Sequence, residues 1–253
     1  MSEPTFRTAI STYDRDRIVL RGRRVEDLMT GASFGAVAFL LLKGRMPKEN
    51  EAKVFEAMLI ASTDHGPNPP STAAARVIAS GNRAALEAAV AGGVLAIGDV
   101  HGGAGERLME LMAEALKEGA NPRDAARRLV QTSIAARQRI PGFGHRAHEV
   151  DPRHPVLFSL AKEHSVAGRG VAFVEAVSAA LADAGRPLPI NVDGAMAAIL
   201  FDLGFPAHAG KAVFIIGRVV GLSAHVLEEY ARERPMRFEF PFSYDGPTEE
   251  QDR

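Results

Sequence analysis

The sequence predicts a mainly α protein with a short β-hairpin near its start. Three observations carry this. Apolar residues recur at helical spacing through most of the 253 residues, strand-like alternation is confined to a stretch near the N-terminus, and the breaks between periodic segments are rich in Gly and Pro. Alanine and glycine are plentiful and tryptophan is absent, which favours closely packed helices with small residues at their contacts.

Taken in order, Thr8 to Arg21 places two short β-type segments around the charged tetrapeptide Asp14 to Arg17, the pattern of a hairpin. Val25 to Leu42 reads as two helical pieces broken near Gly31, with Ser33 as the cap of the second. Lys48 to Thr63 continues as helix, with Val54, Met58 and Leu59 on one face and Pro47 where a first turn tolerates it. DHGPNPP, from Asp64 to Pro70, holds three prolines and a glycine within five positions and must be a loop. Ser71 is expected to cap a helix through Ala79, followed by Arg83 to Ile97. DVHGGAGE, Asp99 to Glu106, opens a helix over Arg107 to Lys117, and Pro122 starts another that reaches about Arg139 before Pro141 ends it. Pro155 to His164, Val171 to Ala184, the stretch after NVDG and Lys211 to Arg232 complete the helices. No repeat, low-complexity run or linker divides the chain. It reads as a single domain over 1–253, with a smaller subdomain expected at about 105–190.

Composition excludes several classes. There is no cysteine, so disulfides, thiolate nucleophiles and Cys-ligated zinc are absent. A net charge of -1 with interspersed signs gives no footprint for nucleic acid. Apolar runs such as Phe34 to Leu42, nine residues, fall far short of the roughly 20 that span a bilayer as helix. The N-terminal residues lack the basic and apolar regions of a secretory signal, so a soluble cytoplasmic protein is expected.

Site composition concentrates in IPGFGHRAHEVDPRH, Ile140 to His154. Gly142 and Gly144 let a ligand approach the main chain, His145 is of the type that exchanges a proton near neutrality, and Arg146 and Arg153 offer forks for carboxylates. That combination points to an anionic, carboxylate-bearing substrate. A metal reading of His145, His148 and His154 exists, but there is neither Cys nor an HExxH helix to support it. Three other breaks carry polar residues: His65 in DHGPNPP, His101 in HGGAGE and Asp193 in NVDG. His101 precedes a helix, where free N–H groups and the dipole suit an oxyanion. Read singly, HGGAGE is also a plain helix start and NVDG a plain cap.

Together and in this order, HGGAGE, PGFGHR followed by DPR, and NVDG resemble the signature segments of citrate synthases. DHGPNPPSTAAARVIAS and GRVVGLSAHVLEE are still more similar to the citryl-CoA lyase module at the C-terminal end of ATP-citrate lyase. The resemblance runs from the hairpin to about Tyr244 and implies a citrate synthase-like helical fold. It implies that His101 hydrogen-bonds the thioester oxygen, His145 faces the oxaloacetate carbonyl or citrate hydroxyl, and Asp193 exchanges the acetyl proton. By the same resemblance His65, Arg146, Arg153 and Arg218 bind carboxylates, and either Arg234 or Arg237 reaches into a neighbouring protomer of a homodimer or larger homo-oligomer. Citrate or oxaloacetate and an acyl-CoA are the implied ligands, with coenzyme A entering as part of substrate or product and no permanently bound cofactor or metal.

The chain departs from each group in one respect. It lacks much of the large N-terminal region of citrate synthases, whereas animal ATP-citrate lyases carry Phe where His101 stands. No Walker-A pattern is present, so another protein must make any citryl-CoA. The resemblance therefore implies a citryl-CoA lyase-like enzyme first and a citrate synthase-type condensing enzyme second. A catalytically idle paralogue that binds CoA esters or citrate is a third reading, against which the joint retention of His101, His145 and Asp193 argues.

Overall fold

The computed structural model describes residues 6–146 and 149–246. Three strands, β1 (Ser11–Tyr13), β2 (Ile18–Leu20) and β3 (Arg23–Arg24), form an antiparallel sheet in the order β1-β2-β3. The Asp14 to Arg17 turn is closed by Asp14, which accepts from Arg17 Nε at 2.6 Å. The expected hairpin is there. The third strand follows because Arg21 and Gly22, both at positive φ, turn the chain back at once.

Eleven α-helices follow among the described residues. They are α1 (Val25–Gly31), α2 (Phe34–Lys43), α3 (Glu49–Ser62), α4 (Pro70–Gly81), α5 (Leu86–Leu95), α6 (Ala104–Ala115), α7 (Pro122–Ala135), α8 (Arg153–Glu163), α9 (Arg169–Asp183), α10 (Val192–Asp202) and α11 (Ala209–Arg232). Ser33 caps α2 by accepting from Ala36 N, as its position predicts. Two expectations are corrected. Ser71 is not a cap: α4 begins one residue earlier at Pro70, a residue suited to a first turn, and the Ser71 hydroxyl is turned to another purpose. Arg83 lies before α5, which starts at Leu86, and its guanidinium takes the carbonyls of Glu229, Tyr230 and Glu233 at the end of α11.

Two helices organise the rest. α10 is apolar on all sides, and Ala195 through Leu200 are almost wholly buried between α6, α8 and α9. α11 packs on α3, α4, α5 and α6. By length and composition α11 is apolar enough to cross a bilayer, yet its buried face carries Arg218 and Glu229 and fits the other helices, as a core helix does. The main hydrophobic cluster extends from Ala38 to Val213. Within it Phe39, Phe55 and Phe205 meet with ring centroids 5.1–5.8 Å apart. Each such buried ring contributes roughly 2–3 kcal/mol. A second cluster, Ala75, Ala79, Ala89, Leu222 and Val226, joins α4, α5 and α11.

Candidate active site

The loop after α7 is held by backbone. Gly144 N donates to Pro189 O at 2.8 Å, Asn191 N to Gly142 O at 3.1 Å, and Phe143 bridges Ile190, so GFG pairs with the segment entering α10. Asn191 caps α10 by accepting from Gly194 N at 3.1 Å, and its amide donates to Gly144 O at 2.9 Å. Gly142 (φ +83°) and Gly144 (φ +91°) occupy the left-handed region. A Cβ on Gly142 would lie 2.7 Å from Gly194 Cα, so the loop carrying His145 rests directly on the turn carrying Asp193.

Below this contact Asp151 acts as a tie. Its carboxylate accepts from Arg153 Nε at 2.9 Å, Arg153 Nη2 at 2.8 Å and Val192 N at 2.9 Å. Burial alone would raise its pKa, but the Arg153 fork and these backbone N–H groups hold it at about 2. Arg153 also donates through Nη1 to Ala61 O at 3.2 Å. The guanidinium thereby fastens the DPR segment to α10 and the end of α3 with three of its five N–H groups. Asp193 lies in the first turn of α10, and burial pushes its carboxyl up to about 6, with Arg153 and Arg218 opposing and Asp151 assisting.

His101 sits in a tight turn in which Gly98 and His101 exchange backbone hydrogen bonds, and Gly102 takes φ +76°. Its Nε2 is 2.8 Å from Ser71 Oγ, and its ring meets Phe214 edge-on. Burial, followed by the charges of Arg218, Arg146 and His65, lowers its pKa, which keeps the imidazole neutral near pH 7. A Ser71 hydroxyl that donates to Nε2 leaves the ring proton on Nδ1, aimed away from Ser71.

Arg218 is 1% exposed and gives Nε to Ser62 O at 3.0 Å. Its Nη1 is buried with no partner in this structure. A buried guanidinium N–H without an acceptor is costly, and an anionic ligand would satisfy it. The charge of Arg218 acts on both His101 and Asp193, which places all three in one electrostatic neighbourhood. His65 completes it with its ring centroid 5.0 Å from that of His145.

The remaining expectations divide. Arg146 is exposed beside His145. Arg237 forms a fork on the buried Glu229, at 2.6 and 2.7 Å, within its own chain, whereas Arg234 is exposed. In this structure Arg237 is thus committed, and of the two arginines Arg234 is the one turned to solvent. His148 lies outside the described residues, and His154 stacks edge-on against Phe158 in the core. Sequence reasoning counted Asp151 in the site stretch without a role and missed Ser71, which nothing local marks as the partner of a histidine 30 positions away.

The model of the citrate synthase C-terminal domain matches residues 1–59 and 46–239. The chain belongs to the citrate synthase family. Among curated members it is 31% identical to the citrate/2-methylcitrate synthase of Bacillus subtilis over 236 residues, 91% of this chain and 61% of that protein. It is 30% identical to the citrate synthase of Heyndrickxia coagulans, covering 56% of it. The chain thus spans about three-fifths of these relatives. Among solved structures, citryl-CoA lyase from Hydrogenobacter thermophilus is 37% identical with a TM-score of 0.85, covering 98% of this chain and 99% of that one. Citrate synthase from Thermotoga maritima, 20% identical with a TM-score of 0.62, shares the fold. As a citrate synthase-family member the chain has the helical fold that its motifs imply.

Proposed function

We propose that this family member cleaves citryl-CoA, or a related 3-hydroxy-3-carboxyacyl-CoA, to acetyl-CoA and oxaloacetate. The observation that carries the reading is the placement of Asp193, a carboxyl raised to about 6, on the turn against which the His145 loop is docked. The similarity to a citryl-CoA lyase over nearly the full length of both chains supports the direction.

In this reading His145 takes the proton of the tertiary hydroxyl, whose oxygen becomes the carbonyl of oxaloacetate as the carbon–carbon bond breaks. The electron pair passes into the thioester, where neutral His101 hydrogen-bonds the enolate oxygen. Asp193, protonated, returns a proton to carbon and leaves acetyl-CoA. Arg218, Arg146 and His65 hold the carboxylates. Arg234 crosses to the neighbouring protomer of a cytoplasmic homo-oligomer.

Condensation of an acyl-CoA with oxaloacetate or another 2-oxo acid is the second reading, favoured by the synthases among the curated relatives and by His101. It runs the same carbon chemistry in reverse and adds hydrolysis of the thioester. Two assays separate the readings. Purified protein is given citryl-CoA while released oxaloacetate is coupled to NADH oxidation, then acetyl-CoA plus oxaloacetate while free thiol is followed. Oxaloacetate without free CoA establishes the lyase. Free CoA in the second assay establishes the synthase, and silence in both removes the proposal.

A further inference from the structure

A string of charged side chains runs from the loop of His65 to the C-terminal segment, and the chemistry proposed above uses none of it. Asp64 precedes His65, and its Oδ2 accepts from Gly66 N at 2.9 Å, so its carboxylate closes the turn on which His65 is carried. Gly66, at φ +80°, needs that turn's left-handed geometry. The other oxygen, Oδ1, lies 3.1 Å from His225 Nε2 on α11. His225 Nδ1 faces Arg76 Nη1 at 3.2 Å, and Arg76 continues to Glu228 and Glu229, both at 2.8 Å. Glu229 is fully buried and held from the other side by the Arg237 fork.

The order of donors in this string is fixed by chemistry. A guanidinium only donates, so Nδ1 of His225 accepts from Arg76, and the ring proton is on Nε2, directed at Asp64. The buried Glu229 holds Arg76, Arg76 sets the tautomer of His225, and His225 presents an N–H to the carboxylate that closes the His65 turn. The backbone has little freedom to compensate, since α11 lies close beneath it. A Cβ on Gly221 would meet Thr63 O and lie 3.1 Å from Asp64 Cβ.

We infer that His225 is a positioning residue: through Asp64 it fixes the turn that aims His65 at the substrate carboxylate. The inference rests on the functional reading for its substrate, but not for its geometry. Removing the Nε2 donor takes this partner from Asp64 Oδ1 and leaves the turn held by Gly66 N alone among these contacts, which loosens the aim of His65, while His101, His145 and Asp193 keep their own supports. The expected signature is a rise in KM with little change in kcat.

The test is a double-mutant cycle in the full chain with citryl-CoA as substrate, joined to NMR of 13Cε1-labelled histidines. His225→Leu is expected to raise KM on the order of tenfold to a hundredfold, the scale of a misplaced binding group. In a His65→Ala background it is expected to add nothing. His225→Gln, which keeps a donor near the Nε2 position, is expected to restore most of the loss. The His65 resonance is expected to move in His225→Leu and to return toward its original position in His225→Gln.

Additive effects of His225→Leu and His65→Ala, or an unmoved His65 resonance, overturn the inference. If His225→Leu fails to fold, Asp64→Asn carries the same cycle, because it weakens the acceptor at the same contact. A wild-type chain silent toward citryl-CoA and toward acetyl-CoA plus oxaloacetate defeats the functional reading instead. The NMR shift then decides the positioning role on its own.

Discussion

The two loops that bring His145 and His65 together are held by opposite means. On the His145 side, GFG is fastened through backbone groups to Pro189 and Asn191 and seated against Gly194. On the His65 side, the end of α3 and the loop after it lie equally close to α11, at Gly217 and Gly221 in turn, but the polar fixings are side chains: Arg218 to Ser62 O and His225 to Asp64. The first arrangement fails when a Cβ is added, and two side chains, Asn191 and Asp151, add to its backbone ties. The second depends on charged partners far apart in sequence.

The largest effect comes from breaking the backbone-held side. Gly142→Ala places a methyl group 2.7 Å from Gly194 Cα at a position with φ +83°, and we expect about 4 kcal/mol of lost stability, read by urea unfolding. A stable, fully active variant would show that the loop seats by some other contact. Next is the tie beneath it. Asp151→Asn strips the Arg153 fork of its charge partner and is expected to cost about 3 kcal/mol. Because the folded pKa of Asp151 is depressed to about 2, its contribution is present above its unfolded value and lost as pH falls through about 2. Wild type and Asp151→Asn should therefore converge in stability under acid, and parallel curves would remove Asp151 from that role.

Much of the backbone-held side was legible in the sequence. Gly142 and Gly144 stand out because such conformations demand that residue, and the order of motifs implied that His145 and Asp193 share one site. The side-chain-held side was not. Arg153 read only as a fork for carboxylates, and its tie to Asp151 two residues earlier needed the folded loop to appear. Ser71 looked like a cap, since Ser after prolines commonly is one, yet it serves His101 across 30 residues. The Asp64–His225–Arg76–Glu229 string joins positions more than 150 apart and has no period to reveal it.

The smallest effect sharpens the comparison at the exposed end of the site. Arg146→Lys leaves a charge but no fork and should weaken citrate binding by about tenfold, measured by calorimetry, with stability unchanged. Unaltered binding would make Arg146 a surface residue and leave Arg218 as the anion's main partner.

The central claim is that Asp193 moves the proton at carbon, and the pH dependence of cleavage tests it most directly. A donor must be protonated, and burial holds this carboxyl up to about 6, so kcat/KM for citryl-CoA cleavage should fall as pH rises through about 6. Condensation needs the same group ionised and should rise across that interval. Asp193→Asn, compared at pH 5.5 to 7.5 as an order-of-magnitude window around that value, should abolish the step and lose about 10³ in turnover while citrate still binds. Turnover retained in Asp193→Asn, with the same pH profile as the wild type, would contradict the account.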